Sequence, residues 1–266
     1  MQEQQEKVFL FPDRIVSSVE LFEELKKVEP QKAFNTGYYH LDSMTKGFKE
    51  GDLVVLSGLT GSGKTEVSVS IAKKFIGQEL YPLFFSYEIS SQELFERFGE
   101  PIPLFYLPRV VSGFQDPTRW IEQKIIEAKK LADIKIVFID HLHYLVDYAT
   151  TRNKNTAEML GYMCREFKHI ARRQRVVIFL IAHVRKFQTS RPYLQDIKDS
   201  SGIIQEADTV FIIHRTGKRR NRKVENTDEE YEIDNSATLY IDKIRRRGGR
   251  LGKIALTFEN GFFVEN

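Results

Sequence analysis

Cysteine is nearly absent: Cys164 is the only one in 266 residues. A single thiol can neither close an internal disulfide nor supply a cysteine-rich metal site, so a disulfide-stapled scaffold and a zinc ribbon are excluded. Cys164 falls in a helical stretch and reads as a small buried residue. Long apolar runs are lacking as well, none approaching the roughly 18 residues that cross a bilayer as a helix. The first residues, Met1-Gln2-Glu3-Gln4-Gln5-Glu6-Lys7, lack the basic-then-apolar pattern of a secretory leader. A cytoplasmic setting without a membrane partner is the expectation. Charge of one sign is also scarce, since 40 Lys and Arg against 37 Asp and Glu leave a net charge of +3. Net charge therefore says little about partners, whereas local clusters can. Lys218 to Lys223 holds five cations in six positions, Glu225 to Glu232 five acids in eight, and Lys243 to Arg250 five cations in eight.

A hydrophobic fraction of 41% and a charged fraction of 29% describe a globular chain. Its length suits one large α/β domain with a short appendage. Gly58-Leu59-Thr60-Gly61-Ser62-Gly63-Lys64-Thr65 fits G-x-x-x-x-G-K-[ST], the phosphate-binding P-loop, without a mismatch. Leu53-Val54-Val55-Leu56 before it reads as a buried strand, and Glu66 to Phe75 after it as a helix. A strand feeding a glycine-rich turn and a helix N-terminus directs backbone N–H groups at one point, where the helix dipole also favours an anion. Lys64 is expected to reach the β- and γ-phosphates of ATP, and the Thr65 hydroxyl to hold Mg²⁺.

Residues 1–17 are polar and irregular, and Ser17 or Ser18 caps a short helix. Leu21, Phe22, Leu25 and Val28 form one apolar stripe on it, ended by Pro30. That stripe suits packing on its own domain or docking on a neighbouring subunit equally well. Beyond the P-loop, strands are expected at Leu80–Ser86, Ile134–Ile139, Val176–Ile181 and Thr209–Ile213, and helices at Ser91–Phe98, Arg119–Leu131 and Thr156–Gln174. Alternating strands and helices imply a parallel sheet covered on both faces. Ala237–Lys243, Gly252–Phe258 and Phe262–Glu265, with turns at Gly248-Gly249 and Asn260-Gly261, read as antiparallel strands. The expected organisation is residues 1–33 as an N-terminal segment with a short helix, and residues 34–266 as one domain.

Asp140 ends a buried strand, where open α/β sheets bind ligands. It is the candidate to hold Mg²⁺ with Thr65, with capping of the next turn as the alternative. His141 follows it, not a glutamate, so a water-positioning carboxylate must come from elsewhere. Glu88, just past the second strand, is the candidate, against a plain surface role. His183, at the end of a third strand, is either a γ-phosphate sensor or a structural histidine.

Five segments in order then resemble the RecA-like ATPase domain of DnaB-type replicative helicases, the hexameric ring family. Thr36-Gly37-x-x-x-Leu41-Asp42 followed by Gly47-x-x-x-Gly51-Asp52-Leu53 resembles that family's entry into the P-loop. Ser86-Tyr87-Glu88-Ile89-Ser90 is similar to its S-L-E-M-S segment, whose glutamate is the catalytic base. Phe138-Ile139-Asp140-His141-Leu142-His143 resembles its Walker B segment. Asp196 to Asp208 is similar to D-L-R-x-S-G-x-I-E-Q-x-A-D, and Lys243-Ile244-Arg245-Arg246-Arg247-Gly248 to K-x-R-x-G. His183 resembles the residue of phage and mitochondrial members, bacterial members usually carrying glutamine there.

The resemblance implies a RecA-like P-loop NTPase fold with a mostly parallel sheet, helices on both faces and antiparallel C-terminal strands. It makes the short helix of residues 1–33 a linker-type helix and residues 34–266 a RecA-like ATPase domain. It implies a homo-hexamer that hydrolyses ATP with Mg²⁺ between subunits and moves 5′→3′ on single-stranded DNA in replication. Lys64, Thr65, Asp140 and Glu88 would act from one subunit, and Arg245, helped by Lys243, from the next. Arg185, Lys186 and Arg191 would follow the DNA backbone, with a solvated charged loop as the equal alternative for Arg185 and Lys186. Lys218–Lys223, followed by acids, reads instead as a self-paired exposed hairpin. The resemblance does not extend to the family's N-terminal helical domain, so a primase contact through it is not expected, and loader and primase partners stay unassigned. An ATPase of recombination, repair or regulation that binds DNA or protein without unwinding remains the alternative. A P-loop kinase is disfavoured by the match at Asp196–Asp208.

Overall fold

The computed structural model describes residues 15–28, 30–110, 116–149, 156–184, 191–197, 200–215, 220–221, 231–232 and 235–266. The chain divides into two compact units, Met1–Lys32 and Ala33–Asn266. In the first, helix α1 (Ser18–Leu25) is capped by Ser17, whose hydroxyl accepts from the Glu20 N–H at 3.1 Å. The helix stops before Pro30 because its last turn tightens, the Lys27 and Val28 N–H groups each bonding three residues back. Leu21, Phe22, Leu25 and Val28 stay exposed.

The second unit is built on an eight-stranded sheet. In chain order its elements are α2 (Tyr39–Thr45), β1 (Leu53–Gly58), α3 (Lys64–Ile76), β2 (Leu83–Ser86), α4 (Ser91–Phe98), α5 (Pro117–Leu131), β3 (Ile136–Asp140), α6 (Leu142–Ala149) and α7 (Thr156–Gln174). They continue as β4 (Val177–His183), a 3-10 turn at Leu194–Asp196, α8 (Ser200–Glu206), β5 (Thr209–His214), β6 (Arg220–Asn221), β7 (Tyr231–Glu232), β8 (Ser236–Ile244), β9 (Gly252–Glu259) and β10 (Phe262–Glu265). The sheet order is β10-β9-β8-β5-β1-β4-β3-β2, with β6 and β7 pairing separately. The five strands from β5 to β2 run parallel. Strands β8, β9 and β10 add antiparallel pairing beyond β5. The expected fold class holds.

Side-chain alternation along the strands divides the apolar interior in two. Leu53 and Val55 of β1 face a core shared with Ile121, Ile125, Leu160 and Phe167 of α5 and α7. Val54 and Leu56 face the other core, with Val67, Ile71 and Phe75 of α3 and Leu94 of α4. Here Phe84, Phe138 and Phe179 from three neighbouring strands stack, with successive centroids 4.8 and 4.9 Å apart.

Boundaries shift for local reasons. Strand β2 begins at Leu83 because Pro82 has no N–H to offer the ladder. Helix α5 begins at Pro117, which needs no partner at the first helical position, with Asp116 accepting from the Arg119 N–H at 3.1 Å. Helices α2, α6 and α8 are additional to the expected ones.

Phe138 is fully buried at the centre of the aromatic stack. Replacing it by alanine removes both ring contacts and leaves a cavity, at a cost of about 3–5 kcal/mol. Denaturant unfolding of Phe138→Ala beside the parent measures this, and a loss well under about 1 kcal/mol would show that the stack is not a stability determinant.

Candidate active site

Strands β1, β4, β3 and β2 are consecutive and parallel, so their carboxyl ends open on one edge of the sheet. That edge receives, in spatial order, the P-loop after Gly58, His183, Asp140 and the turn holding Glu88. Gly58 lies opposite His183 in the β1–β4 register, and Ser86 opposite Asp140 in the β2–β3 register. Val184 N–H donates to Gly58 O at 3.2 Å, which ties the His183 end to the start of the P-loop.

The loop is held open by two glycines whose replacement the geometry forbids. A Cβ at Gly58 would sit 2.5 Å from Ser62 Oγ and 2.7 Å from Ile213 O. Gly63, the residue before α3, has φ of +93°, where an L side chain is strained, and a Cβ there would press on the Phe263 ring. Lys64 is buried and its ammonium donates to Gly58 O at 3.2 Å and Leu59 O at 3.0 Å. Burial lowers its pKa, while Glu88 and Asp140 nearby act to raise it.

Asp140 is fully buried and its Oδ2 accepts from the Thr65 hydroxyl at 2.9 Å. Its Oδ1 and the Ser62 hydroxyl are buried with no hydrogen-bond partner among the described residues. A buried, half-satisfied carboxylate beside a hydroxyl on an anion-binding loop fits a hard, oxygen-preferring cation such as Mg²⁺. Burial is the main cause that pushes the Asp140 pKa up to about 7, with the Thr65 hydrogen bond opposing it and Glu88 adding to it.

Glu88 is exposed in a braced turn. Tyr87 N–H donates to Asp140 O, and Ser86 Oγ donates to Ile89 O at 2.7 Å. Ser90 then opens α4 through a reciprocal cap with Glu93. The structure thus brings Lys64, Thr65, Glu88, Asp140 and His183 together. It also adds His141, fully buried, whose ring centroid lies 3.7 Å from that of His183. Sequence reasoning passed over His141 as merely not a glutamate, although the His-Leu-His run after a Walker-type aspartate was the available signal.

Lys243 and Arg245 lie elsewhere. Ile244 pairs with Thr209, at the amino end of β5, whereas the P-loop begins level with Ile213 at its other end. Those four strand positions span roughly 13 Å. Lys243 Nζ donates to Ile204 O, while Arg245 donates to Gln205 O at 2.5 Å and sits 3.5 Å from an Asp208 oxygen. Neither side chain reaches this chain's own P-loop. Arg191 is engaged as well, donating to both Asp242 oxygens at 3.0 Å, with its guanidinium 4.1 Å from the ring centroids of Tyr193 and Tyr240. Arg185 and Lys186 lie outside the described residues, as do most of Lys218–Lys223 and residues 1–14.

A P-loop joined by a hydroxyl–carboxylate bond to a nearby strand end, on a parallel sheet extended by antiparallel strands, defines a RecA-like P-loop NTPase fold. The DnaB-like helicase C terminal domain family matches residues 33–100 and 115–264. The chain belongs to that family. Among its relatives is a probable replicative DNA helicase of Trieres chinensis, 29% identical over 93% of this chain and 62% of that protein. Another is replicative DNA helicase DnaB of Mycoplasma pneumoniae, 25% identical over 86% of this chain and 55% of the relative. The chain therefore spans rather more than half the length of these relatives. Two solved structures share the fold at 20% identity. One is described as an ATPase domain, with a TM-score of 0.72 over 93% of this chain and 96% of the other. The second is a DnaB-like replicative helicase described with its primase interactions, with a TM-score of 0.70 over 95% of this chain and 67% of the other. No helix among the described residues is long and apolar enough to cross a membrane.

The Asp140 pKa yields a signed pH effect. Its folded value of about 7 exceeds the ordinary 3.8, so between those values the folded chain binds the extra proton. This group's contribution to nucleotide-free stability is therefore fullest below about pH 4 and declines as pH rises to about 7. In metal-free melts, Asp140→Asn should gain Tm relative to the parent between about pH 5 and about pH 8. A Tm difference that does not change with pH would remove the buried-carboxylate account.

Proposed function

We propose that this chain is the motor unit of a ring DNA helicase, hydrolysing ATP with Mg²⁺ and translocating on single-stranded DNA in replication, with the 5′→3′ polarity that the family resemblance implies. The observation that carries this reading is the separation of two half-sites. Lys64, Thr65, Asp140 and Glu88 share one sheet edge, while Lys243 and Arg245 lie at the opposite ends of the strands. A finger residue out of reach of its own P-loop is what an active site shared between neighbouring copies requires, and it favours a homo-oligomer, a hexamer by the family resemblance.

Bound Mg²⁺-ATP would supply the transferable phosphoryl group and neutralise part of its charge. In this reading the loop N–H groups and Lys64 bind the phosphates. Lys64 must leave the carbonyls of Gly58 and Leu59 to do so, a short swing for a side chain already lying on the loop. Thr65 and ionised Asp140 hold the cation. Glu88 orients the attacking water and accepts its proton, a role that the bracing of its turn at this sheet edge supports. His183, tied to the P-loop through the β1–β4 register, reads the state of the γ-phosphate. Arg245 and Lys243, from the adjacent copy, stabilise charge as it develops.

Arg185 and Lys186 follow the DNA phosphates in this proposal. Arg191, held by Asp242 and two tyrosines, joins them at the rim. Helix α1, whose Leu21, Phe22, Leu25 and Val28 are exposed, latches onto a neighbouring copy. Any loader or primase contact belongs to the whole protein.

Three experiments test the proposal. The chain should release a strand from a forked duplex with ATP, and its turnover should rise with single-stranded DNA. Glu88→Gln should bind nucleotide normally while hydrolysis falls about 10²–10⁴-fold. DNA-independent turnover with no strand release would refute the helicase assignment, and substantial turnover by the variant would take Glu88 out of the centre.

Arg245→Ala should lower turnover about 10³-fold or more without weakening assembly. Mixing it with Lys64→Ala protein should restore part of the activity, because some interfaces then pair an intact P-loop with an intact arginine. Mixed oligomers that stay inactive would count against a shared site.

A further inference from the structure

The sheet edge carries a second set of donors that the oxygen ligands of the nucleotide site leave aside. Glu88, His141 and His183 each present one ligand atom, and the three atoms lie within 4.8 Å of one another. They come from the ends of β2, β3 and β4, so strand registers set their spacing: Ser86 pairs with Asp140, and Ile139 with Leu180. The Tyr87–Asp140 backbone bond fastens the Glu88 turn to the His141 strand end. The imidazoles of His141 and His183 lie with centroids 3.7 Å apart and planes inclined by 46°. His141 is fully buried, His183 half-buried and Glu88 exposed, which leaves the cluster rigid on its inner side and open to solvent at Glu88.

Two imidazoles and one carboxylate are a ligand set for Zn²⁺-class ions with an open fourth position. The same set discriminates against Mg²⁺, which takes oxygen ligands in near-octahedral geometry. Metal–ligand bonds of about 2.0–2.2 Å in a tetrahedral arrangement place donor atoms about 3.4 Å apart. Closing from the observed separations therefore draws each pair in by at most about 1.4 Å, within reach of side-chain rotation. Glu88 and Asp140 act electrostatically on Lys64, whereas Glu66 is paired with Arg97 at 3.2 Å.

We propose that Glu88, His141 and His183 form a binding site for a divalent transition-metal ion of the Zn²⁺ class, distinct from the Thr65–Asp140 pair. A bound ion would engage the carboxylate assigned to the hydrolytic water, so Zn²⁺ would inhibit ATP turnover in the presence of excess Mg²⁺. That inhibition rests on the hydrolase reading above, whereas the binding does not.

The test is a titration of the nucleotide-free 266-residue chain with Co²⁺ in excess Mg²⁺, followed by d–d absorption. One equivalent should bind with the intense visible bands of a four- or five-coordinate site, and Zn²⁺ should displace it. Affinity should fall by at least about tenfold in Glu88→Gln, His183→Ala and His141→Ala, since even outer-sphere partners of a metal site are worth that much. His169→Ala, an exposed change on α7, should bind as the parent does. Thermal melts show that each variant is folded, and the first two variants decide the matter if the buried His141→Ala is not. Co²⁺ bands that persist in folded Glu88→Gln and His183→Ala, or only the weak spectrum of an octahedral ion in the parent, would overturn the proposal. Because absorption does not depend on turnover, failure of the hydrolase reading would leave this result intact.

Discussion

Parallel hydrogen bonding among β1, β4, β3 and β2 is the constraint on which the candidate centre depends. Parallel pairing sends every strand out of the same edge, and the register decides how far each one emerges. Gly58 opposite His183 and Ser86 opposite Asp140 place four segments, distant in sequence, within side-chain reach. The Thr65–Asp140 hydrogen bond is one product of that register, and the Glu88, His141 and His183 cluster is another. One-residue slippage in β3 would turn Asp140 to the other face of the sheet and dissolve both.

The opposite edge is organised by buried charge. Lys168 of α7 is buried and donates at 2.5 Å to Gly51 O and to Asp208. Asp208 also accepts from the Leu53 N–H at 2.8 Å and faces Arg245. Arg246 pairs with Asp52 close by. A buried ammonium is tolerated only when partners replace the lost water, so Lys168 depends on Asp208 and the Gly51 carbonyl, while the half-buried Asp208 and the exposed Arg245 stay partly hydrated. Together they hold the starts of β1 and β5 and the end of β8 in place. They also hold Arg245 at the far end of the strands from the P-loop. The network thereby keeps Arg245 away from the P-loop of its own chain, the separation on which the proposed shared site rests.

The carboxyl-end edge, for its part, sets the two proposed cation sites side by side. Thr65 and Asp140 are oxygen donors on the phosphate-binding loop and a nearby strand end. Glu88, His141 and His183 are a mixed nitrogen and oxygen set drawn from the ends of β2, β3 and β4, on either side of Asp140. Hard and borderline ions divide between such sites by ligand type and geometry.

Local signals in the chain were enough for the P-loop, because its spacing, flanking strand and following helix are all short-range. The parallel sheet followed from alternation of apolar runs with amphipathic stretches, and Asp116-Pro117 was a legible helix start that we placed two residues late. Helix α2 is seven residues long without a side-chain cap, so it lacks both a clear period and the serine-capped start that marks the comparably short α1 and α4. Glu88, Asp140 and His183 are legible as strand ends, and the family resemblance brings them to one crevice, but the strand order and register that make the ends adjoin are not in the local pattern. His141 was missed because a histidine beside an aspartate has no meaning until a neighbouring strand brings His183 to it. The sequence by itself determined which segments become strands and which residues terminate them, since these are matters of local pattern and turn chemistry. Only the tertiary structure decided that β4 lies between β1 and β3 and that Arg245 faces away from its own P-loop, because strand order and register arise from packing between residues far apart in the chain.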